Sequence, residues 1–105
     1  MATRKRRQFQ DVFSEVLSGT LAVDIASVGA GARVTQNITV TGLAIGDPFI
    51  TYTASVDPGA LIIFAKATAA DTAQLIFENN TAGAIDPALA TYTVVFGKLN
   101  ADVAV

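Results

Sequence analysis

Alternation of apolar and polar residues is the feature of this sequence that most restricts its fold. In VTQNITVTG (34–42), Val34, Ile38 and Val40 fall on one side of an extended chain and the threonines fall on the other. The same period of two occurs in TLAVDIA (20–26). A period of two is typical of strands that turn one face toward a core. This part of the chain is therefore predicted to be β-structure.

Four further segments are rich in β-branched and aromatic residues and are predicted to be strands: FITYTAS (49–55), ALIIFAKA (60–67), AQLIFEN (73–79) and ATYTVVFGKL (90–99). All three prolines follow an aspartate. The aspartate can start a turn by a hydrogen bond to its own backbone, and the proline has no N–H to donate to a sheet ladder. The pairs are Asp47-Pro48, Asp57-Pro58 and Asp86-Pro87. The pattern predicts an all-β fold, an antiparallel β-sandwich or jelly-roll-like barrel of about six to eight short strands. The segment 60–67 is the most continuously apolar and is predicted to be a central strand.

The residues before Thr20 follow a different pattern. Apolar residues recur there at i, i+3, i+4, i+7 and i+8, which predicts one stripe on an amphipathic helix of about three turns. The stripe consists of Phe9, Val12, Phe13, Val16 and Leu17. So short a helix is marginal in water, so we expect it to pack against its own domain or another subunit. Residues 1–19 are thus predicted to form an N-terminal arm, and residues 20–105 the β-domain.

Charge is distributed unevenly along the chain. Seven basic and nine acidic residues give a formal net charge of −2. Four of the basic residues are consecutive, namely Arg4, Lys5, Arg6 and Arg7, so residues 8–105 carry −6. A basic terminus on an acidic body is typical of an interaction tail. Charged residues make up only 15% of the chain, against roughly 25% in average globular domains, which favours an oligomer or larger assembly that covers part of the surface.

The basic segment has three interpretations. Its arginines suit bidentate pairing with carboxylates in an acidic groove of a neighbouring protein, which is the interpretation we prefer. Four charges would contact nucleic acid only weakly and without sequence specificity. The acidic body also lacks the aromatic platforms on a basic face that such binders use. The third interpretation is a terminus that only solubilises the protein.

Composition excludes several kinds of chemistry. The chain contains no histidine and no cysteine, which excludes Ser-His-Asp and Cys-His catalysis and the common zinc ligand sets. Its aspartates lie mostly in turns, no loop has the calcium-binding pattern of an EF-hand, and no glycine pair precedes GK[ST]. We therefore expect no enzymatic activity, cofactor or metal. The longest clear apolar run, Ala60–Ala65, is far shorter than the roughly 20 residues of a membrane span, so no membrane partner is expected.

Three groups of residues give the chain a family resemblance over residues 20–99. They are Thr41, Gly42, Gly46 and Asp47; then Ala70, Thr72 and Asn79; then Ile85, Asp86, Pro87, Ala88, Thr91 and Val94. In this combination the chain resembles a small β-sandwich module found in virion structural proteins of tailed bacteriophages. The resemblance implies a part that decorates heads or builds fibres and spikes, without chemistry of its own.

The basic arm, and the lack of a long shaft, favour a capsid decoration or cement protein on the virion surface. The major capsid protein would be its partner, bound through Arg4–Arg7 and the apolar stripe. Analogy with such proteins implies a homo-oligomer, and specifically a trimer. The alternative is a fibre-tip or spike module whose loops, Gly29–Arg33 and Asn79–Ala84, recognise a glycan or receptor on the host surface. A third interpretation is an internal protein that contacts the genome.

Overall fold

A computed structural model describes residues 13–99, which form six β-strands and no helix. The strands are β1 Phe13–Val23, β2 Arg33–Thr39, β3 Phe49–Ala54, β4 Ile62–Ala69, β5 Thr72–Glu78 and β6 Ala90–Leu99. They pair in antiparallel fashion in two three-stranded sheets, with the orders β1-β6-β3 and β2-β5-β4. The prediction of an antiparallel β-sandwich is confirmed.

The core lies between the two sheets and is built from alternate residues of each strand. Its largest buried side chains are three aromatic residues of the two central strands, Phe77 of β5 and Tyr92 and Phe96 of β6. Leu75 and Val94 of the same strands are also fully buried, as is Leu43 in the loop between β2 and β3. Phe77 and Tyr92 meet across the sheets in an edge-to-face contact with ring centroids 5.3 Å apart. Phe49 makes a similar contact with Phe96 at 5.5 Å. Aromatic pairs of this geometry stabilise beyond the apolar area that they bury.

The prediction that residues 60–67 form a central strand is wrong, because β4 lies at the edge of its sheet. The apolar residues of β4 also cover a residue on the outer face of the sheet. Phe64 is the cross-strand partner of Ile76, and Ile76 lies on the side of β5 that faces away from the core, since its neighbours Leu75 and Phe77 face inward. Ile76 is nevertheless only 2% exposed. The apolar run of β4 therefore covers an outward-facing residue of the neighbouring strand.

The helix predicted over residues 9–17 is wrong for Phe13, Val16 and Leu17, which lie in β1. The residues of the stripe before Phe13 lie outside the described part of the chain. β1 pairs with β6 from its first residue, and a bulge between Phe13 and Glu15 shifts the alternation there by one residue. The bulge produces spacings that imitate a helical stripe. A ladder along a strand of 11 residues outweighs the weak preference of a three-turn helix. β1 also crosses position 19, where the sequence predicted the boundary of the arm.

Aspartates hold several of the turns, as the sequence predicted for Asp47 and Asp57. The Asp57 Oδ1 atom accepts a hydrogen bond from the Gly59 N–H at 2.9 Å. The turn between β4 and β5 contains Asp71, which has a positive φ of 59°. Its Oδ1 atom accepts from the Gly42 N–H at 2.7 Å, and its own N–H donates to the Leu43 carbonyl at 2.8 Å. The β4–β5 turn is therefore fastened to the loop between β2 and β3.

Candidate attachment surface

An apolar patch lies on the outward face of the β1-β6-β3 sheet, where the described chain begins and ends. It consists of Phe13, Val16, Val95 and Leu99, and we call it the attachment patch. Phe13 pairs with Leu99 and Val16 with Gly97. The Phe13 ring lies directly over the Cα of Gly97, in the space that a Cβ atom would occupy. An aromatic ring over a strand glycine restores the packing that the missing side chain cannot supply.

The rest of this outward face is uncharged. Along the strands, beyond the attachment patch, the side chains on this face are small and mostly hydroxylated. They are Ser18, Thr20 and Ala22 of β1, Thr91 and Thr93 of β6, and Thr51 and Thr53 of β3. Residues of the three strands line up in rows, such as Thr20, Thr93 and Thr53. No charged side chain occurs among these outward positions of the described strands. A partner that binds to this face therefore does not have to remove water from charged side chains, which would cost free energy.

The structure divides the predicted site residues into three groups. Arg4, Lys5, Arg6, Arg7, Phe9 and Val12 lie outside the described residues. Phe13 and Val16 lie on the attachment patch, whereas Leu17 points to the other side of the sheet and packs against the core. The sequence analysis missed Val95 and Leu99. The run Val94-Val95-Phe96 contained the signal, because three consecutive apolar residues on a strand must place the middle one on the opposite face.

A partly buried ion pair fixes the loop that precedes β3. The Lys98 ammonium lies 2.7 Å from the Asp47 Oδ2 atom, which also accepts a hydrogen bond from the Ala44 N–H at 2.9 Å. Burial alone would raise the pKa of Asp47. The hydrogen bonds from Lys98 and Ala44, together with the Lys98 charge, outweigh burial and hold the pKa of Asp47 below its ordinary value of 3.8. Residues 44–47 are thereby tied to the end of β6.

This lowered pKa gives a pH-dependent prediction for the variant Asp47→Asn. A folded-state pKa below 3.8 means that the Asp47 charge stabilises the fold above that pH, and that the contribution is lost as pH falls through the folded-state pKa. We expect D47N to melt several degrees below the wild type at pH 7, and the gap to close as pH falls below 3.8. Thermal unfolding of both proteins from pH 7 to pH 2 measures this difference in melting temperature. A gap that stays constant with pH would show that the carboxylate charge contributes nothing.

At the opposite end of the sandwich lie the two loops that are predicted to recognise a host receptor in the alternative interpretation. Val28 and Ile85 exchange backbone hydrogen bonds of 2.7 and 2.9 Å. The Asn79 N–H donates to the Ala32 carbonyl at 3.0 Å. These bonds join the segments Gly29–Arg33 and Asn79–Ala84, which are distant in sequence, into one surface.

Asn79 organises this loop end from a fully buried position. Its Nδ2 atom donates to the carbonyls of Val28 and Gly83, each at 2.8 Å. Its Oδ1 atom accepts from the N–H and the hydroxyl of Thr81, at 2.8 and 2.7 Å. Both donors and both acceptor positions of the amide are therefore used. An amide satisfied in this way specifies one conformation of the loops.

The described body is acidic and its few cations are mostly paired. Residues 13–99 contain three basic side chains and seven carboxylates, a formal charge of −4. Besides the Lys98 pair, Arg33 contacts Glu78 at 3.2 Å, and its guanidinium lies 5.7 Å from the centre of the Phe64 ring. Positive charge that could bind an acidic surface is therefore concentrated in Arg4–Arg7, outside the described body.

No pocket opens on the surface of residues 13–99, and no group of carboxylates there is arranged to hold a metal ion. Within the same residues no helix has the length and hydropathy needed to cross a membrane. Comparison of the chain with protein-family models, curated protein sequences and solved structures finds no match.

Proposed function

We propose that this protein is a non-enzymatic structural subunit of a tailed-phage virion, a decoration or cement protein that binds the capsid shell. Its partner is an acidic surface of the major capsid protein. The basic segment Arg4–Arg7 contacts carboxylates there, and the attachment patch packs against apolar groups beside them. The family resemblance in the sequence supports the viral setting.

The observation that carries this proposal is the position of the attachment patch. Phe13, the first described residue, lies in the patch, and only five residues separate it from Arg7. An extended chain spans at most about 3.3–3.6 Å per residue, so Arg7 lies within about 20 Å of Phe13 and Arg4 within about 30 Å. Val16 and Leu99 are exposed there, 47% and 53% respectively. A basic segment next to an uncharged, half-apolar face suits an acidic partner surface with an apolar centre.

The attachment patch and the basic segment Arg4–Arg7 contribute differently to the proposed binding. Complete burial of a large apolar side chain stabilises by about 1.5–3 kcal/mol. Because Val16 and Leu99 are already half covered, hiding the remainder contributes about 2 kcal/mol in total. This corresponds to about thirtyfold in affinity. Exposed ion pairs contribute about 0–1 kcal/mol each, so the arginines act mainly on association rate and register.

Rebinding to stripped particles tests the proposal. Particles purified from the virus that encodes the chain are depleted of the protein and titrated with full-length variants. We expect V16S/L99S to weaken binding about thirtyfold, following the energies above. Replacing Arg4, Lys5, Arg6 and Arg7 together by glutamine should lower the association rate and remove most of its dependence on salt.

The matched control is V56S/I62S, which removes similar exposed apolar area, 43% and 47% exposed, at sites outside the attachment patch. It should bind like the wild type. Equal weakening by both double variants would show a non-specific hydrophobic effect. Absence of the chain from purified particles would refute the proposal itself.

A second candidate function is supported by the joined loops at the opposite end. Gly29–Arg33 and Asn79–Ala84 form a surface whose conformation is fixed by the buried Asn79, and preorganised loops are typical of recognition sites. This surface would suit a fibre-tip or spike module. Binding of the protein to host cells, abolished by Arg33→Ala together with Asn80→Ala but unaffected by V16S/L99S, would favour this function over attachment.

A further inference from the structure

The outer edge of β1 from Glu15 to Val23 differs from the other three described sheet edges of the sandwich. β1 and β3 are the outer strands of one sheet, and β2 and β4 are those of the other. From Glu15 to Val23, β1 continues through nine residues in unbroken register with β6. This stretch contains one charged residue, Glu15, and no proline. A long, regular and nearly uncharged edge is a template for pairing with another strand.

Bulges interrupt the edges of β3 and β4. In β3 the register shifts between Phe49 and Thr51, and Pro48 precedes the strand. In β4 the register shifts between Ala67 and Ala69, and Lys66 lies next to the irregularity. Bulges, prolines and lysines are the devices by which natural sheets prevent pairing at an edge.

The edge of β2 is regular but polar. It begins with Arg33, which pairs with Glu78. The backbone carbonyl of Asn37 already accepts a hydrogen bond of 3.2 Å from the Gln36 side chain. β2 is also shorter than β1, with seven residues against 11. Among the four described edges, β1 is thus the one without protection.

We propose that β1 is a self-association edge, through which two copies of the protein join into a dimer with a continuous six-stranded sheet. A head-to-tail arrangement would need a second open edge to receive β1, and the other three described edges are protected. The same edge must therefore pair with itself, which requires a two-fold axis and antiparallel strands. This geometry differs from the trimer expected by analogy, and it does not depend on binding to a capsid.

The residues of β1 favour a register centred on Gly19. Leu17 then lies opposite the partner subunit's Leu21, so two partly exposed leucines cover each other. Ser18 lies opposite the partner subunit's Thr20 on the outward face. Because the two-fold axis is perpendicular to the sheet, only residues of the same face can lie opposite each other, so the axis must pass at a residue and not between two residues. Both attachment patches remain on one face of the joined sheet.

Two matched double variants test the proposal in solution. S18K/T20K places lysines opposite lysines across the proposed two-fold axis. T51K/T53K adds the same charges to the same two cross-strand rows of the same face, but on β3. Sedimentation equilibrium of the full-length proteins gives the dissociation constant. We expect a dimer for the wild type, weakening of at least about tenfold for S18K/T20K, and no change for T51K/T53K.

Every other outcome contradicts the proposal in a specific way. A monomeric or trimeric wild type would refute the dimer. Equal weakening by both variants would assign the contact to the sheet face, and weakening by T51K/T53K alone would assign it to β3. Far-UV circular dichroism and thermal melting of each variant establish that all four substitutions leave the fold intact.

Discussion

The variant Asn79→Asp is expected to melt at least about 12 °C below the wild type. The substitution replaces an amide that donates to the carbonyls of Val28 and Gly83 by a carboxylate that cannot donate. Each buried polar group left without a partner costs about 1–3 kcal/mol, and a buried charge costs more. A total of about 3–5 kcal/mol lowers the melting temperature by about 4–8 °C per kcal/mol in a domain of this size.

The neighbouring residue supplies the control for this prediction. Asn80 is exposed, so Asn80→Asp makes the same chemical change outside the core. We expect N80D to melt within about 2 °C of the wild type, because surface substitutions usually change stability by less than about 0.5 kcal/mol. Differential scanning calorimetry of the three proteins at pH 7 compares them. Equal melting temperatures for N79D and the wild type would contradict the role assigned to the buried amide.

The second large effect is expected for Gly19→Ala. Gly19 of β1 lies close to the end of β2, and a Cβ atom there would overlap the Thr39 carbonyl oxygen and lie 2.8 Å from Val40 Cγ2. Because the obstacle is backbone, it cannot turn away as a flexible side chain would. Overpacking of this kind costs about 1–3 kcal/mol, and occasionally more. We expect G19A to unfold at a clearly lower urea concentration with an unchanged dependence on denaturant.

Gly83→Ala is the matched variant for Gly19→Ala. A Cβ atom at Gly83 would meet no atom within 4 Å. Its φ is also outside the left-handed region, since the glycines with positive φ are Gly31, Gly42, Gly46 and Gly59. Removal of a glycine there should leave the stability unchanged or raise it by about 0.4–1 kcal/mol. If G19A and G83A unfolded at the same urea concentration, the close approach of β1 and β2 would not matter for stability.

Much of the sandwich could be predicted because period-two alternation and Asp-Pro turns are local signals. The predicted strand at 90–99 coincides with β6, and Asp47 and Asp57 cap backbone groups as expected. The order of the strands depends on pairings between distant segments, which a pattern of alternation does not specify. For this reason the apolar run 60–67 predicts a central strand, whereas β5 is the central strand of that sheet.

The candidate surface was predictable only in part, for two physical reasons. A bulge between Phe13 and Glu15 gives the start of β1 the apolar spacing of a helix. That spacing predicts Leu17 and Phe13 on one stripe, although they face opposite sides of the sheet. Leu99 joins the attachment patch through cross-strand pairing with Phe13, which lies 86 positions earlier in the chain. The local pattern of apolar and polar residues does not indicate which distant segments pair.

Cryo-electron microscopy of virus particles that carry this chain tests the central claim, attachment through the patch, most directly. The account predicts density for the sandwich on the shell, with the β1-β6-β3 sheet and Val16 and Leu99 turned toward the major capsid protein. The basic residues 4–7 should lie against acidic side chains of that protein. Density with the β2-β5-β4 sheet against the shell, or particles without the subunit, would contradict it.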